Sequence, residues 1–417
     1  MGRHGLLDRL LRDHGFGPVR ICHRLRSGRC AQQQLGASGN INTDAATDPY
    51  GLGIDGLARA NPNATLCVSA GNSGPTTNTV GSPGSGYNVI TVGALQNDGS
   101  NNYTAVASFS SRGAQTYGDP VNGYYGAARA PVDIVAPGTN LTSAYYGGTT
   151  GGNSAALGGT ATGGSAFYSG GIAGTSFSSP IVAGGVSLMK SAAKAQGKPA
   201  TALDTRVVKA ALLNSATKTT GWNNGQSLVG GVVQTTQSLD YNAGAGALNL
   251  DKAYDQYLTG QTDIPGTAGG TSSQPIGWDL ANIALGGTTD IVLTPLFASG
   301  TTFNATIDWF RAVTYVNTTT ATNDGLADLD LEVWNASFTT KYAESISAFN
   351  EVEHLSFALP ADTTIGLRVV YGGNIYGSLT SETFGLAWAG TTVVPEPTSL
   401  AMVLSAGVVA LRRRNRR

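Results

Sequence analysis

Ser176 and Asn72 are the two residues of this 417-residue chain whose local setting could do covalent chemistry. Ser176 stands in Gly171-Ile172-Ala173-Gly174-Thr175-Ser176-Phe177-Ser178-Ser179-Pro180, where glycines and small hydroxyl residues lead into an Ala-rich apolar pattern through Val186, Leu188 and Met189. A glycine turn admits backbone conformations that a side chain forbids. The pattern predicts Ser176 at or near the first turn of a helix, where unpaired N–H groups and the dipole favour developing negative charge. Pro180 is expected early in that helix, where a missing N–H costs little. Upstream, Ala70-Gly71-Asn72-Ser73-Gly74-Pro75 follows the apolar run Leu66-Cys67-Val68, as a strand running into a glycine turn that presents one amide side chain. Such an amide can donate to an oxyanion, and a serine at a helix N-terminus is a plausible nucleophile. On its own, Gly-Thr-Ser is equally a cap on a buried helix.

The elements that must hold these residues alternate in type. Gly51 to Ala60 has the pattern of the end of an amphipathic helix, with Ile54, Leu57 and Ala58 on one face. Leu66 to Ser69 and Val89 to Val92 are expected as buried strands, and Thr201 to Ala216 as a helix with Leu203, Val207, Val208, Ala211 and Leu212 on one stripe. Such βαβ alternation implies a parallel sheet with helices on both faces.

At this point the chain resembles the subtilases, the subtilisin-like serine peptidases. Gly174-Thr175-Ser176-Phe177-Ser178-Ser179-Pro180 is similar to their nucleophile motif and Ala70-Gly71-Asn72 to their oxyanion motif. In order with these come Tyr87-Asn88-Val89-Ile90-Thr91-Val92-Gly93-Ala94, Ser108-Phe109-Ser110-Ser111-Arg112-Gly113, Val132-Asp133-Ile134-Val135-Ala136-Pro137-Gly138 and Gly244-Ala245-Gly246-Ala247-Leu248-Asn249-Leu250. The resemblance implies a serine endopeptidase acting on polypeptides, with Ser176 as nucleophile and Asn72 in the oxyanion hole. It also implies that Leu66-Cys67-Val68-Ser69 lines one wall of the pocket for the substrate side chain. No organic cofactor is implied. A lipase-type hydrolase is excluded, because no Gly-x-Ser-x-Gly elbow surrounds the serine.

The family's other catalytic motifs, Asp-Thr/Ser-Gly and then His-Gly-Thr-His, belong before the oxyanion residue, and neither occurs. His4-Gly5 and His14-Gly15 lack the following Thr-His, and Asp8 and Asp13 lack the following Thr/Ser-Gly. Residues 1–48 form an anomalous segment. Seven of the eighteen arginines, two of the three cysteines and three of the four histidines fall in its first 30 residues, with no sustained period. A truncated or out-of-frame start is the expectation, and with it an inactive chain. The rival expectation is a non-catalytic surface or adhesion protein built on the same scaffold.

Composition narrows the partners. A net charge of −1 and no long basic stripe exclude nucleic acid as a natural partner. Three irregularly spaced cysteines give neither a disulfide framework nor a metal-ligand pattern, and Cys67 is expected as a small buried hydrophobe. A monomer is expected.

Gly147 to Gly171 has the composition of a solvated insertion or a cleft flap, and Trp222 to Asp240 that of a hairpin insertion. The partial catalytic domain is placed at 49–258 and a linker at 259–275. From 276 to 392 the period changes to 2, as in Phe303, Ala305, Ile307, Trp309 and in Leu329-Asp330-Leu331-Glu332-Val333-Trp334. That predicts an all-β sandwich, which resembles the jelly-roll domain often appended to subtilases. Asp324, Asp328, Asp330, Glu351 and Glu353 are oxygen ligands for a structural Ca²⁺ or, alternatively, outward-facing carboxylates. No metal ligand is assigned. His354 is expected as a structural residue.

The tail, 393–417, carries Val394-Pro395-Glu396-Pro397, an apolar run from Leu400 to Leu411, and Arg412-Arg413-Arg414-Asn415-Arg416-Arg417. The run is short for a membrane span, lacks a polar face, and is expected as an apolar helix. It is similar to the bacterial Pro-Glu-Pro sorting signal read by an exosortase. That implies export in a Gram-negative type of bacterium, transient inner-membrane residence, and an extracellular or cell-surface destination.

Overall fold

Leu66, Cys67 and Val68 set the layering of the first half. The computed structural model describes residues 29–33, 48–119, 123–144, 160–161, 168–259, 261, 270–317 and 320–393. In it, β1 (Arg29–Gln33), β2 (Ala64–Ser69), β3 (Ile90–Gln96) and β7 (Ile134–Pro137) form a parallel sheet, with the two-residue β4 (Ala105–Val106) antiparallel on β3. Side chains alternate across a strand. Leu66 and Val68 therefore pack with Ile54 and Ala58 of α1 (Pro49–Ala60), while Cys67 packs with Val182 and Val186 of α2 (Thr175–Ala195) and Val208 of α3 (Thr205–Asn214). Helices thus cover both faces.

Local chemistry explains the helix starts. Asp48 caps α1 by accepting from Tyr50 N–H, with Pro49 at the first position, and Asp204 caps α3 by accepting from Arg206 N–H. The expected single helix over 201–216 is therefore two pieces, a 3₁₀ turn at Ala200–Leu203 and then α3, because Asp204 leaves the helical conformation to cap the second. Pro180 stands sixth in α2, beyond its first turn, so the Ser176 carbonyl loses its usual helical partner.

Shorter strands complete this half: β5 (Gln115–Asp119) pairs with β6 (Gly123–Arg129), and β10 (Tyr168–Ile172) with β8 (Leu141–Ala144) and β9 (Thr160–Ala161). The rest of the 147–171 insertion lies outside the described residues. Within the segment set apart as 1–48, the structure forms the strand β1, parallel to β2.

The hairpin expected within 222–240 is β11 (Ser227–Val229) and β12 (Val232–Thr235). Its second strand joins the β-rich half by pairing in parallel with β19 (Lys341–Ser345). That half follows α4 (Leu250–Thr259) and consists of β13 (Gly270–Ser272), β14 (Ile276–Ala284), β15 (Thr288–Phe297), β16 (Thr302–Trp309), β17 (Ala312–Asn317), β18 (Thr320–Asn335), β19, β20 (Val352–Ala358), β21 (Thr363–Gly377) and β22 (Ser381–Ala389). One sheet runs β11-β12-β19-β18-β21-β15-β13 with β17 on β18, and the other runs β14-β22-β16-β20. Gly270–Ser272, assigned to the linker, therefore belongs to a sheet, while 262–269 lie outside the described residues.

Phe303, Ala305, Ile307 and Trp309 point between the sheets, as their period predicts. The alternate face is also covered. Thr306 and Asp308 are 0% and 1% exposed because α3 lies over them, and Trp278, Val352 and Ala387 join the core around Val207 and Leu212. At this junction Lys209 Nζ faces Asp133 at 3.0 Å, Glu351 at 3.0 Å and Asp308 at 3.3 Å, and it donates to the carbonyls of Tyr87 and Val89. Against the cost of burial, these carboxylates hold the Lys209 ammonium above its ordinary range. Nearby, Arg311 meets Asp55 at 2.5 Å, both fully buried.

The segment 393–417, with Pro395–Pro397, the apolar run and the arginines, lies outside the described residues beyond Val393. Among the described residues, no helix is long and apolar enough to cross a membrane.

Candidate functional site

Gly174 makes the start of α2 possible. Its φ of 143° lies where a side chain is strained, and its N–H donates to Gly138 O at 2.8 Å. Ser176 is then the second residue of the helix and half-buried. Gly138, at the end of β7, brings that strand against the helix. A Cβ there would lie 2.4 Å from Ala94 Cβ and 2.5 Å from Ser178 Oγ, and Ser178 Oγ donates to Pro137 O at 3.2 Å.

Asn72 comes from the other side, on the turn after β2. Thr175 N–H and Thr175 Oγ1–H both donate to Asn72 Oδ1, at 3.0 and 2.9 Å. With Oδ1 used on Thr175, the Nδ2 end is turned toward the helix start: a Cβ on Gly174 would lie 3.6 Å from it. Ser111 braces the turn, accepting from Ser73 N–H at 3.1 Å and donating its own N–H to Gly71 O at 2.9 Å. Asn72 itself is exposed. The structure thus brings the turns of Asn72 and Ser176 together at a helix N-terminus, an arrangement able to hold a negative oxygen. Sequence reasoning missed Thr175 as the residue that orients the amide. Its position directly before the serine, with a hydroxyl, was the available signal.

His354 is elsewhere, on β20, fully buried between Lys218 and Thr306, with its imidazole held well below the usual range by burial and then by Lys218. The five candidate carboxylates occupy separate settings. Asp324 accepts from Thr314 Oγ1 and faces Arg59 at 3.6 Å. Asp328 and Asp330 are partly buried, and burial raises them to about 6 and about 7. Glu351 is engaged by Lys209 and Arg129, and Glu353 accepts from Ser345 and Ser347. Glu351 and Glu353 are 3% and 0% exposed, so neither faces outward; the ion pairs and hydroxyls compensate their burial. Among the described residues, no group of three or more His, Cys, Asp or Glu side chains is arranged to hold a metal ion.

A mixed α/β half with a hydroxyl presented at a helix N-terminus, followed by a β-rich half, is the class these features define. The Subtilase family model matches residues 30–242, just over half of the sequence, and the chain belongs to that family of subtilisin-like serine peptidases. The match begins inside the segment read from sequence as anomalous. The serine protease AprX of Bacillus subtilis (strain 168) is 48% identical over 80 residues, which are 19% of this chain and 16% of that protein. The subtilisin of Bacillus sp. (strain TA39) is 35% identical over 128 residues, 29% of this chain and 27% of that one. This chain therefore spans less than a third of either relative's length. Among solved structures, Sphericase is similar at 23% identity and a TM-score of 0.32, over 53% of this chain and 56% of that one.

Proposed function

We propose that the chain carries the nucleophile and oxyanion elements of a serine endopeptidase that hydrolyses polypeptides by acyl transfer. Ser176 Oγ attacks the scissile carbonyl carbon as its proton passes to a base, and the carbonyl electrons move onto oxygen. That oxyanion is held by Asn72 Nδ2–H and the Ser176 N–H. Collapse expels the amine with the proton, and water then releases the acyl group from Ser176. The single observation that carries this reading is the pair of hydrogen bonds that Thr175 N–H and Oγ1–H donate to Asn72 Oδ1, which orients the amide and its nitrogen at the start of α2. Family membership supports the substrate class.

No base for Ser176 is identified among the described residues, where His354, the histidine among them, is sealed at the junction of the two halves. Without a base and its orienting carboxylate, only residual rate acceleration of about 10³–10⁴ over water is expected. Casein hydrolysis by a version carrying both missing motifs tests the reading. Turnover that survives Ser176→Ala would overturn Ser176 as the nucleophile, and no turnover in the completed version would leave the scaffold as a surface protein with another role.

Export and sorting belong to the same proposal. The Pro395-Glu396-Pro397 motif, short apolar run and terminal arginines fit a signal removed by an exosortase, with the mature protein outside the inner membrane.

A further inference from the structure

A directional chain of hydrogen bonds crosses the junction between the peptidase half and the β-rich half. Its polarity is fixed at one end by backbone. Gln256 Nε2 donates to the carbonyls of Gly277 and Trp388, both at 3.1 Å, and carbonyls can only accept. Gln256 Oε1 therefore accepts from Asn214 Nδ2 at 3.2 Å, which leaves Asn214 Oδ1 to accept from the Thr306 hydroxyl at 3.0 Å. A hydroxyl has one proton, so Thr306 Oγ1 must accept from His354 Nδ1–H at 2.8 Å. His354 is thereby the neutral Nδ1–H tautomer, with a lone pair on Nε2 facing Lys218 Nζ at 2.6 Å. Lys218 has three acceptors for its three N–H bonds: His354 Nε2, Ala245 O at 2.9 Å and the face of Trp222 at 4.0 Å.

We propose that Lys218 and His354 are a one-proton latch between the two halves, and that a second proton, taken up in acid, loosens the β-rich half from the peptidase half. A proton on Nε2 would face an ammonium N–H across 2.6 Å, two donors with no acceptor between them. Lys218 belongs to the segment after α3 and His354 to β20, so that repulsion acts across the junction.

The surroundings offer little compensation. Asp240, which accepts from Asn223, Asn242 and Ala243 N–H, is the carboxylate that favours the Lys218 ammonium. On β16, Asp308 is turned to Lys209; on β20, Glu353 is bonded to Ser345 and Ser347. On α3, Arg206 is paired with Asp204, and on α4, Asp251, Lys252 and Asp255 are exposed. Burial lowers Lys218 to about 7 and His354 well below its ordinary value. Both are bases depressed by folding, so the unfolded chain binds more protons and stability falls as pH falls. The loss runs from about 10 down to about 7 for Lys218, and from about 6.5 downward for His354.

Nitrogen-15 histidine NMR of the full chain tests the tautomer directly. His354 should appear as Nδ1–H at about pH 8, and an Nε2–H tautomer or an imidazolium there would overturn the latch. Urea midpoints of wild type and His354→Gln, whose amide bridges without titrating, test the coupling. Between about pH 7 and pH 5.5, the wild-type folded-to-unfolded ratio should fall roughly tenfold further than the variant's. Parallel pH profiles would overturn the proposal. Should His354→Gln fail to fold, Lys218→Met carries the same comparison over about pH 9 to pH 7, and the NMR result stands without either variant.

Discussion

Thr175 gives both its N–H and its hydroxyl to one oxygen, Asn72 Oδ1, at 3.0 and 2.9 Å. The two bonds fix the plane of the amide and so the direction of its nitrogen. Thr175→Val keeps the shape and the N–H but removes the hydroxyl's bond to Asn72, worth about 0.5–1.5 kcal/mol, together with the longer one it accepts from Gly71 N–H at 3.3 Å. In a catalytically complete enzyme, kcat should fall about 3- to 10-fold with KM within a factor of about two, because the oriented amide acts mainly in the transition state. Steady-state kinetics on a peptide substrate checks this.

Gly138 holds the helix start against the sheet. In Gly138→Ala the new methyl would meet Ala94 Cβ at 2.4 Å and Ser178 Oγ at 2.5 Å, so strand and helix must part. Overpacking of this kind costs about 1–3 kcal/mol, and here it also displaces the acceptor of the Gly174 N–H. A lowered urea midpoint, together with a loss of turnover larger than the stability change explains, is the expected pairing.

Asp308 lies beneath α3, 1% exposed, and neither of its oxygens accepts a hydrogen bond although Lys209 is 3.3 Å away. Burial raises its carboxyl well above the ordinary value. A raised carboxyl means that the folded chain binds more protons than the unfolded one. Its stabilising contribution is present below about pH 4 and is lost as pH rises through the folded value. Asp308→Asn, which imitates the protonated form, should therefore raise the urea midpoint at about pH 8 and leave it nearly unchanged at about pH 4. Chemical denaturation at the two pH values checks the sign.

The alternation in Phe303, Ala305, Ile307 and Trp309 announced a strand with one face in a sandwich core, and that face is where it was expected. The alternate face was not legible. Thr306 and Asp308 look like solvent-facing residues until α3, about a hundred positions earlier in the chain, is laid over them. The same blindness applied to Glu351, whose partners Lys209 and Arg129 come from distant segments, and to Glu353, which is buried on serines only six and eight residues before it. Around the candidate site the sequence was more informative, because Gly174, Ser176 and Asn72 act through local backbone geometry. Thr175 escaped notice because its role is a tertiary contact with a turn 103 residues away.

The tail offers a prediction independent of Ser176. Given a working export signal and the sorting enzyme, the mature protein should end near Pro395–Pro397 and lie outside the inner membrane, because terminal arginines resist crossing. Intact-mass measurement from hosts with and without that enzyme checks it. A mature form that retains Arg412–Arg417 in the competent host would overturn the sorting reading and leave a plain membrane anchor as the better one.

The most direct measurement joins a subtilase segment bearing the Asp and His motifs upstream of this chain and maps the adduct formed with a fluorophosphonate. One adduct is predicted, on Ser176, with little labelling in the 417-residue chain alone. Asn72→Ala should then slow substrate turnover by about 10²–10³, a range that comes from a subtilisin itself, with KM nearly unchanged. An adduct that persists in Ser176→Ala, or full turnover in Asn72→Ala, would contradict the assignment of Ser176 and Asn72 as nucleophile and oxyanion donor.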